Sequence, residues 1–207
     1  NNFAVREARG EYLLFLNNDV EIITENWLEE MLQLCQQKDV GMVGAKLYYP
    51  DDTIQHAGVV VGLGGVAAHV LCKLPRDAEG YMGRLRCVQE ISAVTAACMM
   101  VKTSVFKAVG GFDEELKVAF NDIDLCMKVR KYGVKIVFTP YAELYHYESK
   151  SRGMEDTPEK QLRFSREVNC FRRKWERELL KGDPYYNPNL TLNNTDCSLR
   201  KQEKNGD

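Results

Sequence analysis

The sequence predicts an α/β domain built on a mixed, mostly parallel sheet flanked by helices. Three observations lead there. Tyr12 to Leu16 is a continuous apolar run that stops abruptly at Asn17-Asn18-Asp19, which is how a strand buried on both faces reads. Val40 to Leu47 is a second such run. Between them Trp27, Leu28, Met31, Leu32 and Cys35 fall on one face of an amphipathic helix. A strand–helix–strand order with short links implies a right-handed parallel crossover.

The remaining elements follow in order. Asn1 to Arg9 reads as the last turns of a helix, with Phe3, Ala4 and Ala8 at helical spacing and Gly10 as its cap. Ala57 to Val61 reads as a strand. Residues 62 to 83 hold five glycines and little periodicity, so they read as one long loop, a feature that in compact domains is usually functional. Gln89 to Val101 reads as a strand, rich in small residues at Thr95-Ala96-Ala97-Cys98. A short helix is expected from Thr103 to Val109, stopped by Gly110-Gly111, and a stronger one from about Asn121 to Tyr132, capped by Gly133. Val134 to Thr139 reads as a strand ended by Pro140, and Ala142 to Tyr147 as extended chain. Pro158 opens a helix to about Leu180 with Phe164, Val168, Phe171, Trp175 and Leu179 as its apolar stripe. Its other faces carry many lysines and arginines, a pattern that suits a solvated helix or peripheral contact with an anionic lipid. The expected division is 1–182 as the domain and 183–207 as a polar tail that frays.

Composition narrows the function. The chain has 28 Lys+Arg against 30 Asp+Glu, a formal charge of -2, which gives no basic field for nucleic acid. Its apolar runs are shorter than a membrane span. The seven cysteines, Cys35, Cys72, Cys87, Cys98, Cys126, Cys170 and Cys197, are odd in number and contain no C-x-x-C. They read as mostly buried thiols in a reducing, cytoplasmic protein rather than as a disulfide or zinc framework.

Three positions combine useful chemistry with a useful place. Asp19 follows the strongest strand, and in open α/β sheets ligands bind outside the carboxyl ends of strands. A carboxylate there can hold a hard divalent cation and through it phosphate oxygens, although Asn-Asn-Asp is also ordinary turn chemistry. In Asn121-Asp122-Ile123-Asp124, Asn121 suits an N-cap and the acids suit the helix dipole. Two aspartates two apart cannot share a helix face, so at most one points into a pocket, where it could act as a base on an alcohol. His146, at the end of an extended segment, suits a metal ligand or a hydrogen-bonded structural role. Ser149, Ser151 and Arg152 follow it and could meet phosphate. For His56 and His69 the sequence names no partner.

Together these motifs resemble family-2 glycosyltransferases of the GT-A fold, a Rossmann-like architecture, and among them the rhamnosyltransferase-like enzymes that build bacterial surface and cell-wall polysaccharides. The likeness runs from Asn1 to about Leu192. Gly10 to Asp19 resembles the strand leading into the D-x-D metal motif. Gly110-Gly111-Phe112-Asp113-Glu114 and Asn121 to Cys126 resemble the acceptor-side segment with the catalytic aspartate. Tyr145 to Ser149 resembles the later His segment. Two positions depart from the family pattern: Asn17 stands for the first acid of D-x-D, and Asn121 precedes the base.

The resemblance implies inverting, metal-assisted transfer from a UDP- or dTDP-linked sugar to a glycan or lipid-linked acceptor. Asp19 and His146 would bind Mn2+ or Mg2+, and Asp122 would be the base. Asn17, Asn18, Ser149 and Arg152 would meet the donor, and Asp124, Thr95 and Ala96 the acceptor. Location would be cytoplasmic, at the inner face of the membrane if the acceptor is lipid-linked. The family's N-terminal nucleotide-binding strands are not recognisable, so the chain reads as the metal and acceptor part of a catalytic domain, with an open sheet edge that invites self-association. The alternative is a non-catalytic carbohydrate-binding or scaffold module of the same fold, which would bind glycan without metal.

Overall fold

The computed structural model describes residues 1–148 and 157–201. The chain runs through α1 (Asn2–Glu7), β1 (Tyr12–Leu16), β2 (Val20–Ile22), α2 (Trp27–Cys35), β3 (Val40–Tyr48), β4 (Ile54–His56), β5 (Val59–Val61) and β6 (Ala67–His69). It continues through β7 (Gln89–Glu90), β8 (Cys98–Lys102), α3 (Thr103–Ala108), α4 (Asn121–Tyr132), β9 (Lys135–His146), α5 (Pro158–Lys174) and α6 (Glu176–Lys181). A seven-stranded sheet has the order β1-β8-β3-β9-β2, with β4 added to β3 and β7 to β9, and β5 and β6 pair separately.

The sheet is mixed, as expected, but it is not mostly parallel. Only β3 and β9 pair in parallel; β1–β8, β3–β8, β2–β9, β3–β4 and β7–β9 are all antiparallel. β1 and β3 do run the same way, as two apolar strands around a helix should, but β8 is inserted between them. A continuous apolar run reports burial on both faces and not the direction of the neighbour.

Both faces of β3 are covered, and all nine of its residues are buried. On one side α2 packs Trp27, Met31 and Cys35 against Val43, Ala45, Leu47, Cys98, Met100 and Leu144. On the other, Leu125, Cys126 and Val129 of α4 join Met42, Val94, Val101 and Phe138. Gly44 permits the close approach there, since a Cβ would lie 2.4 Å from Val94 Cγ1. Cys35, Cys98, Cys126 and Cys197 are buried and all seven thiols are free. Burial pushes the Cys35 and Cys98 thiols up to about 12, which makes them packing groups rather than nucleophiles.

Four boundaries differ from expectation. The strand expected at 57–61 is shortened to β5, which starts after Gly58, whose φ of 101° lies in the left-handed region, and a separate strand, β4, precedes it. The run at 89–101 is split into β7 and β8, which frees residues 91–97 as a loop. Pro140 does not end its strand: β9 passes through it with a register shift against Gly44 and Lys46, where a missing N–H is tolerated. The long helix breaks at Trp175 into α5 and α6.

Residues 183–201, the described part of the expected tail, are packed on the domain. Tyr186, Leu190 and Cys197 are buried. Val61 N–H donates to Asp183 Oδ2 at 2.8 Å, and Gly64 N–H and Leu71 N–H donate to the carbonyls of Leu192 (2.8 Å) and Thr195 (2.6 Å). These bonds clamp the glycine-rich segment, which contains β6 and two 3₁₀ turns instead of being loop throughout. The charged faces of the long helix are also partly spoken for: Arg172 donates to the Gly65 carbonyl, and Lys174 meets Asp113 and Asp124.

Candidate functional site

A cleft of about 1080 Å³ opens at the carboxyl end of β1. Its wall includes Asn17, Asn18 and Asp19 from the turn after β1, Thr95 and Ala96 from the loop before β8, Asn121 and Asp122 from α4, and His146 and Glu148 from the end of β9.

Asp19 and His146 are far apart in sequence and meet because β2 pairs with β9, Val20 opposite His146. The Asp19 carbonyl also accepts the Tyr147 N–H at 2.8 Å. The result places His146 Nε2 3.3 Å from Asp19 Oδ1 and 3.0 Å from Asn17 Nδ2. The buried Gln55 amide fixes the ring from behind. Its Nε2 donates to the His146 carbonyl (3.2 Å) and Glu148 (3.4 Å), which leaves Oε1 facing His146 Nδ1 at 2.6 Å. Those partners assign the imidazole proton to Nδ1. Nε2 then accepts from Asn17 Nδ2 at 3.0 Å and lies 3.3 Å from an Asp19 carboxylate oxygen, close enough for one cation to be held by both once Asn17 gives up its bond. One carboxylate and one imidazole fit a hard divalent ion whose other positions are taken by phosphate oxygens and water. Among the described residues no cluster of three or more His, Cys, Asp or Glu side chains could hold a metal without such help.

Asp122 sits in the first turn of α4, its carboxylate held by two backbone donors, Ile123 N–H to Oδ1 at 2.9 Å and Ala96 N–H to Oδ2 at 3.1 Å. The cap position is taken not by Asn121 but by Phe120, in the left-handed conformation with φ 62°. Asp124 is a correction. Expected on the acceptor side, it is wholly buried away from the cleft, where Trp175 Nε1 donates to it at 2.8 Å and Lys174 and Lys128 lie 2.7 and 3.2 Å away. One of two aspartates two apart faces the cleft, as helix geometry demands. Ser149 and Arg152, the other expected donor contacts, lie outside the described residues.

The chain matches the model of a glycosyltransferase-like family over residues 1–167. The chain belongs to this family. A protein of Sinorhizobium fredii called uncharacterized protein y4gI is 57% identical over 200 residues, which is 96% of this chain and 22% of that one. The O-antigen biosynthesis protein RfbC of Myxococcus xanthus is 41% identical over 208 residues, covering 100% of this chain and 16% of that one. The chain thus spans about a fifth of the length of these two relatives. Among solved structures, GalNAc-T7 with UDP, GalNAc and Mn2+ superposes with a TM-score of 0.61 at 14% identity, over 86% of this chain and 34% of that one. That likeness establishes the GT-A fold of this family member.

Sequence reasoning missed Gln55, behind the cleft, and gave no role to Glu148, His56 or His69. Strand periodicity could have found the first, since alternation in Ile54-Gln55-His56 sets Gln55 opposite its neighbours. His56 and His69 touch through their Nδ1 atoms at 2.8 Å. Burial holds both imidazoles below the ordinary value, His56 well below, with His69 and His146 adding to the effect on His56. Asp122 and Glu148 pull His69 back up. The unfolded chain therefore binds more protons below the ordinary histidine pKa of about 6.5, and stability rises with pH through that range. Acidification from pH 6.5 to 5.5 is expected to cost about 1 kcal/mol for each histidine kept neutral. Denaturant midpoints across pH 5 to 8 check this, with His56→Asn as control; an unchanged slope in that variant would refute the assignment.

Proposed function

We propose that the cleft is the metal-diphosphate and acceptor site of an inverting glycosyltransferase. The proposed reaction moves a sugar from a UDP- or dTDP-linked donor to a hydroxyl of a glycan or lipid-linked acceptor, at the cytoplasmic side of a membrane where the acceptor is lipid-linked. The observation that carries this is the convergence, in one cleft, of the Asp19–His146 pair and the doubly anchored Asp122. The UDP and Mn2+ bound by GalNAc-T7 support the choice of ligand.

Asp19 Oδ1 and His146 Nε2 would hold Mn2+ or Mg2+, which when bound supplies positive charge for the leaving diphosphate. Gln55 keeps the His146 lone pair aimed at that position. Asn17, which donates to that same lone pair here, would turn away as the ion binds and lines its place without supplying a charge. Asn18, Thr95 and Ala96 complete the wall, and the Ala96 N–H fixes one oxygen of Asp122. Asp122 takes the proton of the acceptor hydroxyl as its oxygen bonds to the anomeric carbon. The bond from that carbon to the diphosphate oxygen breaks on the opposite side, so configuration inverts and the nucleoside diphosphate departs.

The test is calorimetric titration with UDP and dTDP, with and without Mn2+. Binding is expected to require the metal and to weaken by at least about tenfold in Asp19→Ala. Binding indifferent to both would reject this reading. Asn17 at the first D-x-D position favours one other reading, a glycan-binding module without turnover, which would bind glycan equally well in the presence of a chelator.

A further inference from the structure

A second groove, of about 950 Å³, shares no described wall residue with the cleft. A break in the central strand pair builds it. β3 advances two residues from Gly44 to Lys46 while β9 advances five from Phe138 to Glu143. The surplus on β9 forms a bulge, the usual way a sheet re-aims its side chains, and Tyr141 on that bulge stands in the groove wall 53% exposed. Past the break the register sets Lys46 beside Glu143, and both line the groove. Lys46 is only 5% exposed. Among the described residues its ammonium meets one oxygen, the Leu85 carbonyl at 3.2 Å, and the Tyr48 ring, 5.3 Å away at its centroid. An ammonium carries three donors, so this buried one has capacity left for an oxygen in the groove.

The acceptors in the groove are fixed in advance. Glu143 accepts from the Tyr48 hydroxyl and from Arg76 Nη2, the latter at 3.3 Å. Asp52 accepts from the Tyr145 hydroxyl and lies 3.6 Å from Arg76 Nη1. Each carboxylate keeps lone pairs to spare, and a site ordered before its ligand arrives loses less on binding. Three cations and four carboxylates line the groove. That balance gives a full anion no net attraction. An uncharged polyol can use both signs, because each hydroxyl donates and accepts. The Tyr141 ring, with Pro75 and Pro140 in the same wall, adds an apolar platform for the C–H face of a sugar ring. We propose that this groove binds a neutral saccharide, with its ring on Tyr141 and a hydroxyl oxygen on the Lys46 ammonium. The site needs no metal and does not rest on the transferase reading; under that reading it would hold a stretch of glycan apart from the reacting end.

The test is ¹H–¹⁵N correlation NMR of the ¹⁵N-labelled chain in EDTA. The probes are methyl α-L-rhamnoside, methyl β-D-galactoside and methyl N-acetyl-β-D-glucosaminide, each taken to about 50 mM. At least one is expected to shift the amides of Thr53, Ala78 and Tyr141 saturably, and those of Ala96 and Asp122 less. Tyr141→Ala, at an exposed position, is expected to weaken that binding at least about fivefold. Tyr141→Phe keeps the ring and should bind nearly as the native chain does. Lys46→Met keeps the buried stem, removes the donors and should weaken binding as well; if it does not fold, the Tyr141 pair still decides. No saturable shift at the groove amides with any of the three sugars, or shifts confined to the cleft, overturns the site. Unchanged affinity in Tyr141→Ala overturns it too. Tighter binding of sodium glucuronate than of every neutral sugar would make the groove an anion site and overturn the assignment. Sugar binding in EDTA leaves the cleft undecided, and metal-dependent UDP binding by the same sample decides that separately.

Discussion

Asp122→Asn is expected to lower the rate of sugar transfer by about 10²- to 10⁴-fold, the usual contribution of a positioned general base, while UDP affinity in the presence of Mn2+ stays the same. The two halves of this expectation come from different parts of the cleft. In the proposed reaction donor affinity belongs to Asp19 and His146, which are tied to each other through β2 and β9. In the same proposal the proton goes to Asp122, on α4, held by the Ala96 and Ile123 amides. An asparagine can accept from only one of those two N–H groups with its single carbonyl oxygen, and its NH₂ would face the other. Some stability is therefore lost along with the basicity, about 1–3 kcal/mol if the second amide stays unmet. Measuring the denaturation midpoint beside kcat and the UDP dissociation constant separates the effects. A variant that is folded, binds UDP normally and is slow confirms the base. One that transfers at the native rate removes Asp122 from that role.

The parts of this site that the sequence disclosed are those written in local pattern. A five-residue apolar run ending in Asn-Asn-Asp located β1 and Asp19, and helical periodicity from Asn121 located α4 and the split between Asp122 and Asp124. What stayed hidden is long-range. The insertion of β8 between β1 and β3 turns an expected parallel sheet into a mainly antiparallel one, and no single-strand pattern records which strand will sit beside it. Gln55 lies 91 residues from the imidazole it orients. The polar composition of 183–207 suggested a fraying tail because the burial of its described part, 183–201, depends on a few residues, Tyr186, Leu190 and Cys197, and on bonds to a segment more than 100 residues away. The arginines and lysines of α5 read as a solvated face because charge alone does not show that Lys174 reaches Asp124.

Glu167 shows the same limit, and its substitution is expected to be among the costly polar changes outside the cleft. On α5 it reads as one more charge in a run of charges, yet its side chain is buried. Its carboxylate gathers three consecutive backbone donors from the segment ahead of α4: Lys117 N–H and Val118 N–H on Oε1, both at 3.1 Å, and Ala119 N–H on Oε2 at 2.8 Å. The next residue, Phe120, is held at φ 62° and stacks on Phe164 and Phe171 of the same helix. Val118 is itself part of the cleft wall. Glu167→Leu removes the carboxylate that accepts from these three part-buried amides, at about 1–3 kcal/mol for each that water does not reach. Partial relaxation towards water should reduce the sum to roughly 3–5 kcal/mol, in the range of a broken buried polar network. The midpoint of urea unfolding is then expected to fall with little change in slope, and amide exchange at 117–119 to accelerate more than exchange in β3, since local opening would precede global unfolding. Glu167→Gln separates charge from shape: its one acceptor oxygen can still serve Lys117 and Val118 while its NH₂ faces the Ala119 N–H, so a smaller part of the loss should remain. A cost below about 1 kcal/mol in both variants would mean that these amides are satisfied by water, and that α5 does not hold the chain in place as it enters the helix carrying Asp122.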